Sequence, residues 1–279
     1  MKTSIIIPTY NEEGFIESCL KSLDNQSLRD FEVIVVDDGS IDKTESVLSN
    51  LQFTNFNLQI LRQKHRGPAL ARNLGAKKAL GEILVFVDAD MTFDKDFVKK
   101  LIAPIIENQT IGTFSKEEYV VNWNNLWARC WNINSNLPSK KRLPGNYPNK
   151  QKVFRAILKK EFDRVGGFDR GGYTDDWSLS EKLGKMAVNA KGAKFYHKNP
   201  ETFDEVFRHS RWVAKRGYKL GIFGFVVALV RLSLPVTILV GLYKSIRFRT
   251  PLFFIFKLVY NTGATLGIFE YFLLKKGEK

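Results

Sequence analysis

The sequence predicts an α/β fold: a mostly parallel sheet with helices on both faces, followed by hydrophobic helices at the C-terminus. Three observations carry this expectation. Four short segments are predominantly apolar, namely Ser4–Ile7, Phe31–Val36, Leu58–Leu61 and Ile83–Val87, interrupted only by Ser4, Glu32 and Gln59. Each is followed by a stretch whose apolar residues recur at helical spacing. Strands apolar on both sides, alternating with helices, belong to parallel sheets covered on both faces. The third observation is a change of character near residue 220, where apolar sequence becomes nearly continuous.

The elements follow in order. Ser4–Ile7 reads as a strand ended by Pro8. Asn11 is the expected cap of a helix with Phe15, Ile16, Cys19, Leu20 and Leu23 on its apolar face. Phe31–Val36 runs into Asp37-Asp38-Gly39-Ser40, and Asp42-x-x-Glu45 resembles a capping box. After Leu58–Leu61, Gly67-Pro68 opens a helix with proline in its first turn. Ile83–Val87 ends in Asp88-Ala89-Asp90, and Phe97, Val98, Leu101, Ile102 and Ile105 form the next amphipathic helix. Beyond Ile111 the pattern is less regular. Trp123, Trp127 and Trp131 recur every four residues and are expected on one helix face, as packing or, alternatively, as a sugar or lipid platform. Residues 135–150 read as a loop, Val153–Leu158 as a strand and Val165–Phe168 as a turn. Tyr173–Trp177 precedes a helix carrying Leu179, Leu183 and Met186, and Phe195–His197 is a short strand.

Composition narrows the classes. Hydrophobic residues are 44% and charged residues 26% of 279, which argues against disorder, collagen and coiled coil. Cys19 and Cys130 cannot build a disulfide framework and are expected to be buried thiols in a reducing compartment. The apolar run at the N-terminus is too short for a signal peptide. The net charge is +14, and residues 219–279, with nine basic and two acidic side chains, carry half of it. Basic charge beside apolar sequence points to anionic lipid, and no motif supports a nucleic-acid partner. Leu220–Tyr243 and Pro251–Leu274 are each 24 residues, or ~36 Å as helix against a ~30 Å hydrocarbon layer. Two spans joined by Lys244–Thr250 are expected, although Arg231 at mid-helix would cost roughly 2.5–3.5 kcal/mol. Eight basic residues would then stay with the catalytic domain (Arg208, Arg211, Lys215, Arg216, Lys219, Lys275, Lys276, Lys279) against three in the loop, which places that domain on the cytoplasmic face. The competing picture is a pair of helices lying in the interface.

Ligands of parallel sheets bind at the carboxyl ends of the strands. Tyr10, Asn11, Glu12, Asp37, Asp38, Asp88 and Asp90 all stand there. Asp88 and Asp90, two residues apart past a buried strand, can turn toward one ligand, and hard carboxylate oxygens suit Mg²⁺ or Mn²⁺ beside a diphosphate. A capped turn is the plainer alternative. Asp37 and Asp38 can accept hydrogen bonds from a base or ribose, or else serve the helix cap around Ser40 and Asp42.

Together, Pro8–Glu12 (PTYNE), Val35–Ser40 (VVDDGS), Gly67–Gly75 (GxxxARNxG) and Val87–Asp90 (VDAD) resemble the nucleotide-sugar half of family 2 inverting glycosyltransferases with the GT-A fold. Thr174-Asp175-Asp176 and Arg208-His-Ser-Arg211-Trp212 are similar to the TED and QxxRW motifs of membrane polysaccharide synthases, with Arg208 standing where that motif has glutamine. The resemblance implies a nucleotide-sugar-binding half over residues 1–110 and an acceptor-binding half over 111–218, with a membrane-associated hairpin over 219–279. It implies that Pro8, Tyr10, Glu12, Asp37, Asp38, Arg72 and Asp88 bind the nucleotide. Asp90 would bind the metal, Asp88 would contact the ribose or the metal, and His197 would complete the metal site. Asp176 would be the general base, and Arg208, Arg211 and Trp212 would serve the diphosphate and acceptor. The implied reaction is metal-dependent transfer from a nucleoside diphosphate sugar to a hydroxyl of a glycan or lipid-linked glycan. Transfer to a polyprenyl phosphate, and a non-catalytic nucleotide-sugar-binding protein, are the alternatives. Two hydrophobic segments do not support a self-contained polysaccharide channel. The first strand is followed by PTYNEEG rather than GxGxxG, which argues against a dinucleotide-dependent dehydrogenase.

Overall fold

The structure is a computed structural model describing residues 1–169, 175–215 and 221–274. The chain divides into two compact units, Met1–Tyr119 with Gly145–His197, and Val120–Pro144 with Lys198–Lys279.

The first unit opens with strand β1 (Thr3–Thr9), helix α1 (Ile16–Asp24), β2 (Phe31–Asp37), α2 (Thr44–Ser49), β3 (Asn57–Arg62), α3 (Pro68–Lys78) and β4 (Ile83–Phe86). β5 (Met91–Phe93), α4 (Phe97–Ile106), β6 (Gly112–Phe114) and β7 (Glu118–Val120) follow. After an excursion into the second unit through α5 (Leu126–Asn134), the chain returns as β8 (Lys150–Gln151), β9 (Ala156–Leu158), α6 (Lys159–Arg164), α7 (Asp175–Leu183), β10 (Ala187–Asn189) and β11 (Phe195–His197). The main sheet has the order β3-β2-β1-β4-β9-β6-β10-β8. β3, β2, β1 and β4 are mutually parallel, as expected, and β9 runs antiparallel between β4 and β6. A smaller sheet has the order β5-β11-β7.

Side chains alternate across a strand, so β1 supplies both layers of core. Ile5 and Ile7 join Val33, Val35, Ile83 and Val85 against α1 and α4. Ile6 joins Ile34, Val36, Leu84 and Phe86 against α3, Phe162, Leu179 and Leu183. α3 lies close to the sheet because a Cβ on Gly75 would stand 2.6 Å from Ile6 Cγ2.

Several local expectations are corrected. Pro8 does not end β1, which continues to Thr9 opposite Asp37. The last β1 residue paired with β4 is Ile6, so the missing N–H of Pro8 removes no ladder bond on that side. Asn11 does not cap α1. It takes a left-handed conformation (φ 56°), and its side chain accepts the N–H of Ile41. Asp42 accepts the N–H of Thr44, the first residue of α2, at 3.0 Å, but Glu45 turns to Arg62, so the reciprocal contact of a capping box is not formed. Trp123 lies in a turn before α5, because Asn125 starts that helix by accepting the N–H groups of Trp127 and Ala128. Trp127 and Trp131 pack with Phe256, which supports packing rather than a ligand platform. Both cysteines are buried, as expected, and burial pushes the Cys130 thiol up to about 12, outweighing nearby Arg129.

In the second unit, α5 is joined by α8 (Phe203–Val213), α9 (Gly221–Leu232), α10 (Leu234–Arg247) and α11 (Leu252–Leu274). The expected single span over Leu220–Tyr243 is instead two helices of 12 and 14 residues, bent by 55°. Pro235 cannot continue α9, since it has no N–H to donate, but it fits the first turn of α10. Leu252–Leu273 of α11 is long and apolar enough to cross a membrane, with mean hydropathy 1.5. Its inner face carries Gly263 and Gly267, where a Cβ would stand 2.5 Å from the Phe207 carbonyl oxygen and 2.0 Å from that of Arg211. The α8–α11 crossing therefore tolerates only hydrogen at these positions. Gly267→Ala should destabilise the chain by about 1–3 kcal/mol through overpacking. Gly14→Ala, where nothing lies within 4 Å, should leave the thermal melting temperature nearly unchanged in the same assay.

Candidate active site

The β1 and β2 ends are bound into one loop system. Asp37 Oδ1 accepts both the N–H (2.9 Å) and the hydroxyl (2.6 Å) of Ser40. Ser40 Oγ in turn accepts the N–H of Asn11. The Glu12 N–H donates to Thr44 Oγ1 at 2.8 Å. Asp37 thus closes its own turn, and Pro8 lies in the strand behind it. Asp38 has a fuller set of partners. Its Oδ1 accepts from Gln63 Nε2 (2.6 Å) and the Arg66 N–H (2.9 Å). Its Oδ2 meets the Gly67 N–H (2.8 Å) and His65 Nδ1 (2.9 Å). A carboxylate offers about four acceptor positions, so a base N–H approaching Asp38 has to displace one of these donors. The same contacts seat the His65 ring on Tyr10, stacked with centroids 4.0 Å apart. Gly39, Arg62, Gln63, Lys64 and His65 line an adjoining surface cavity of about 530 Å³.

The strongest electrostatic feature is built around Arg72. Its side chain is 8% exposed and bridges two carboxylates: NH1 donates to Asp176 Oδ1 at 2.7 Å and NH2 to Asp88 Oδ1 at 2.9 Å. Arg155 NH1 reaches the other oxygen of Asp88 at 3.0 Å. Burial alone would raise the Asp88 pKa, but Arg155 and Arg72 outweigh it and hold the carboxyl well below its usual range. The neighbouring Asn73 ties α3 to the Val165–Phe168 turn. Its amide donates to the Phe168 carbonyl at 2.8 Å and accepts the Phe168 N–H at 2.9 Å. Gly167 (φ 75°) permits this approach, since a Cβ there would stand 2.5 Å from Asn73 Oδ1. Thr174 lies outside the described residues, as does the side chain of Asp175.

Asp90 faces a different partner. His197 Nε2 stands 3.4 Å from Asp90 Oδ1, while Nδ1 is 2.6 Å from Glu118 Oε1. Burial would lower the His197 pKa, but hydrogen bonds to Asp90 and Glu118 outweigh it and raise it. Among the described residues no three His, Cys, Asp or Glu side chains converge as a metal-ligand set. Asp88, expected there, is turned instead to the two arginines. The Asp90–His197 pair nevertheless fits a divalent cation, because an oxygen and an imidazole nitrogen face each other while the second ring nitrogen is engaged by a carboxylate. Mg²⁺ is commonly held by one or two protein groups with phosphates and water completing its shell.

Sequence reasoning missed Arg155, Glu118, Gln63 and His65. Arg155 immediately precedes β9 and Glu118 begins β7, and neither stands in a recognisable motif. In the second unit, α8 carries Arg208, Arg211 and Trp212. Arg208 pairs with Asp204 at 2.6 Å, Arg211 with Glu270 of α11, and Trp212 lies edge-on to His209.

The family model described as Glycosyl transferase family 2 matches residues 4–166, more than half of the chain. The uncharacterized glycosyltransferase YfnE of Bacillus subtilis is 36% identical over 194 residues, covering 67% of this chain and 46% of YfnE. The chain spans only 16 to 46% of the length of the curated relatives it matches. Among solved structures, the mannosyltransferase PcManGT of Pyrobaculum calidifontis, in complex with GDP-Man and Mn²⁺, has a TM-score of 0.58 at 19% identity, over 99% of this chain and 88% of that one. Staphylococcus aureus TarS 1–349 with UDP-GlcNAc has a TM-score of 0.57 at 22% identity, over 77% of this chain and 66% of that one. These two likenesses establish a shared fold.

The depressed Asp88 pKa sets a pH dependence. A carboxyl whose folded pKa lies below its unfolded value near 3.9 stabilises the fold fully above that value and loses its contribution as pH falls below it. The stability lost in Asp88→Asn, read from urea unfolding, should therefore be constant from pH 7 to 5 and shrink toward pH 3. A loss unchanged at pH 3 would contradict the assigned ion pairs.

Proposed function

The chain belongs to glycosyl transferase family 2, and from that premise we propose that it is an inverting glycosyltransferase. In this reading it moves a sugar from a nucleoside diphosphate sugar to a hydroxyl of a glycan or lipid-linked glycan at a membrane. The observation that carries the reading is the carboxylate arrangement past β4. Asp88 and Asp176 are held by one buried guanidinium, while Asp90 faces His197. Such a constellation suits a polyanionic donor that needs both charge neutralisation and a base.

Tyr10 and the Asp38 loop would take the base, with Glu12, Asp37 and Pro8 shaping the floor. Arg72 and Arg155 position Asp88 for the ribose side of the donor. Asp90 and His197 would hold Mg²⁺ or Mn²⁺, which when bound supplies positive charge against the diphosphate. Asp176, aligned by Arg72 at the start of α7, takes the proton of the attacking hydroxyl on the face opposite the leaving group, which inverts the anomeric centre. Motif likeness alone assigns Arg208, Arg211 and Trp212 to the leaving diphosphate and the acceptor. The apolar side chains of α9 and α10 that stand exposed, among them Phe223, Val230, Leu239 and Ile246, together with α11 and the basic Arg247 and Arg249, favour a membrane-associated C-terminal segment beside anionic lipid. The catalytic residues would stand on the cytoplasmic face.

Two measurements test this reading. UDP- or GDP-sugars with Mn²⁺ should raise the melting temperature, because a ligand bound only by the folded state stabilises it. No shift from any nucleoside diphosphate sugar at saturation would remove the donor assignment. Asp176→Asn should slow transfer to a hydroxyl acceptor by about 10²–10⁴-fold. A near-normal rate would instead favour an acceptor already ionised, such as a polyprenyl phosphate.

A further inference from the structure

We propose that Glu118 is a positioning residue that fixes the ring plane and tautomer of His197, so that Nε2 is aimed at Asp90 as the second donor of a divalent-cation pair. The proposal rests on the reading in which Asp90 and His197 hold the cation.

The small sheet builds this arrangement. β11 is its central strand, flanked by β5 and β7. His197 pairs with Met91 of β5, which brings the preceding residue, Asp90, alongside it. β7, on the other flank, begins with Glu118. One imidazole therefore lies between carboxylates delivered by two neighbouring strands, and backbone pairing limits how far either can drift.

The two contacts differ in length. Nδ1 to Glu118 is 2.6 Å, a short charge-assisted hydrogen bond, whereas Nε2 to Asp90 is 3.4 Å, near the limit of one. In the neutral ring that a metal requires, the remaining proton belongs on Nδ1 against Glu118, which leaves Nε2 as the lone-pair nitrogen. Exposure differs in the same direction. The Glu118 and His197 side chains are 14% and 9% exposed, and that of Asp90 is 45% exposed. Glu118 sits behind the ring and Asp90 in front, toward solvent from which a cation would arrive. Metal-ligating histidines generally donate their other ring N–H to such a carboxylate, and removing it typically weakens metal binding 10–100-fold.

The test uses the full chain in detergent and Mn²⁺ alone as the probe, with bound Mn²⁺ followed by electron paramagnetic resonance. Glu118→Ala should weaken Mn²⁺ binding about 10–100-fold, and Glu118→Gln, which keeps an acceptor oxygen, should recover part of the loss. His197→Gln should lose at least as much as Glu118→Ala, and the double variant should lose no more than His197→Gln, because the two residues act through one contact. With three histidines in the chain, ¹⁵N ring signals report the tautomer directly: His197 should favour Nδ1–H in the wild type at high pH and lose that preference in Glu118→Ala. Unchanged Mn²⁺ affinity in Glu118→Ala, with affinity lost in Asp90→Asn, overturns the positioning role and leaves the cation reading intact. Additive losses in the double variant overturn it too, since Glu118 would then bind metal independently of His197. A wild-type chain that binds no Mn²⁺ overturns both. If Glu118→Ala does not fold, the Glu118→Gln comparison and the wild-type tautomer decide the outcome.

Discussion

The arrangement of the first unit depends on one buried guanidinium. Taking a charged side chain out of water costs several kcal/mol unless it is fully paired, and removing one partner of such a pair is more harmful than replacing the whole set. Arg72 meets that demand with Asp88, just past β4, and with Asp176, which lies 104 residues from Arg72 along the chain. The pairing makes α3, the β4 terminus and the start of α7 mutually dependent. Asn73, the next residue, adds the Val165–Phe168 turn to the same assembly. Two adjacent side chains on one helix thus hold the acidic groups in place before any ligand arrives, which is how a site lowers the reorganisation its chemistry requires.

This also explains why an arginine stands on the buried face of a helix otherwise lined with alanine and glycine. Ala69, Ala71, Gly75 and Ala76 let α3 lie close to the sheet, and Arg72 emerges among them at the carboxyl edge. Lysine would not serve equally. A planar guanidinium can donate to two carboxylates on different elements in fixed directions, whereas an ammonium is a point charge.

The strands, their parallel order at the centre of the sheet and the helices between them were legible because apolar periodicity is a local property and burial on both faces leaves a plain pattern. The acidic residues at strand ends were legible for the same reason. Their orientation was not. Whether Asp88 turns to a ligand or to Arg155 depends on a residue 67 positions away, and no spacing rule encodes that pairing. Asp38 shows the same limit: its strand position was readable, but the Gln63–Gly67 loop that wraps it has no periodicity. Asn11 was misread as a cap because short polar side chains satisfy loop N–H groups as readily as helical ones. The break before Pro235 was legible, since a proline inside a helical run removes a backbone hydrogen bond and kinks or ends the helix.

The C-terminal helices show how an apolar sequence is fitted to a polar scaffold within the second unit. Lys244 and Lys257 would be unfavourable on a surface of hydrocarbon alone. Here Lys244 donates to the Ile133 carbonyl at 2.6 Å and Lys257 to Asn134 Oδ1 at 2.8 Å, both at the end of α5. The last carbonyls of a helix carry partial negative charge and have no intrahelical donor, so cations are favoured there. Glu270 is matched in the same way by Arg211 and Lys215 on the α8 side. Each charged residue on α11 therefore answers a group on another helix, and glycine lets α8 come near enough for the match. The charges that weaken Pro251–Leu274 as an isolated span are those that fix its orientation against α8 and α5. An apolar helix bearing Arg211 and Trp212 on its packing partner is thus held in one rotational setting by polar contacts, with its remaining apolar surface left to face whatever environment surrounds it.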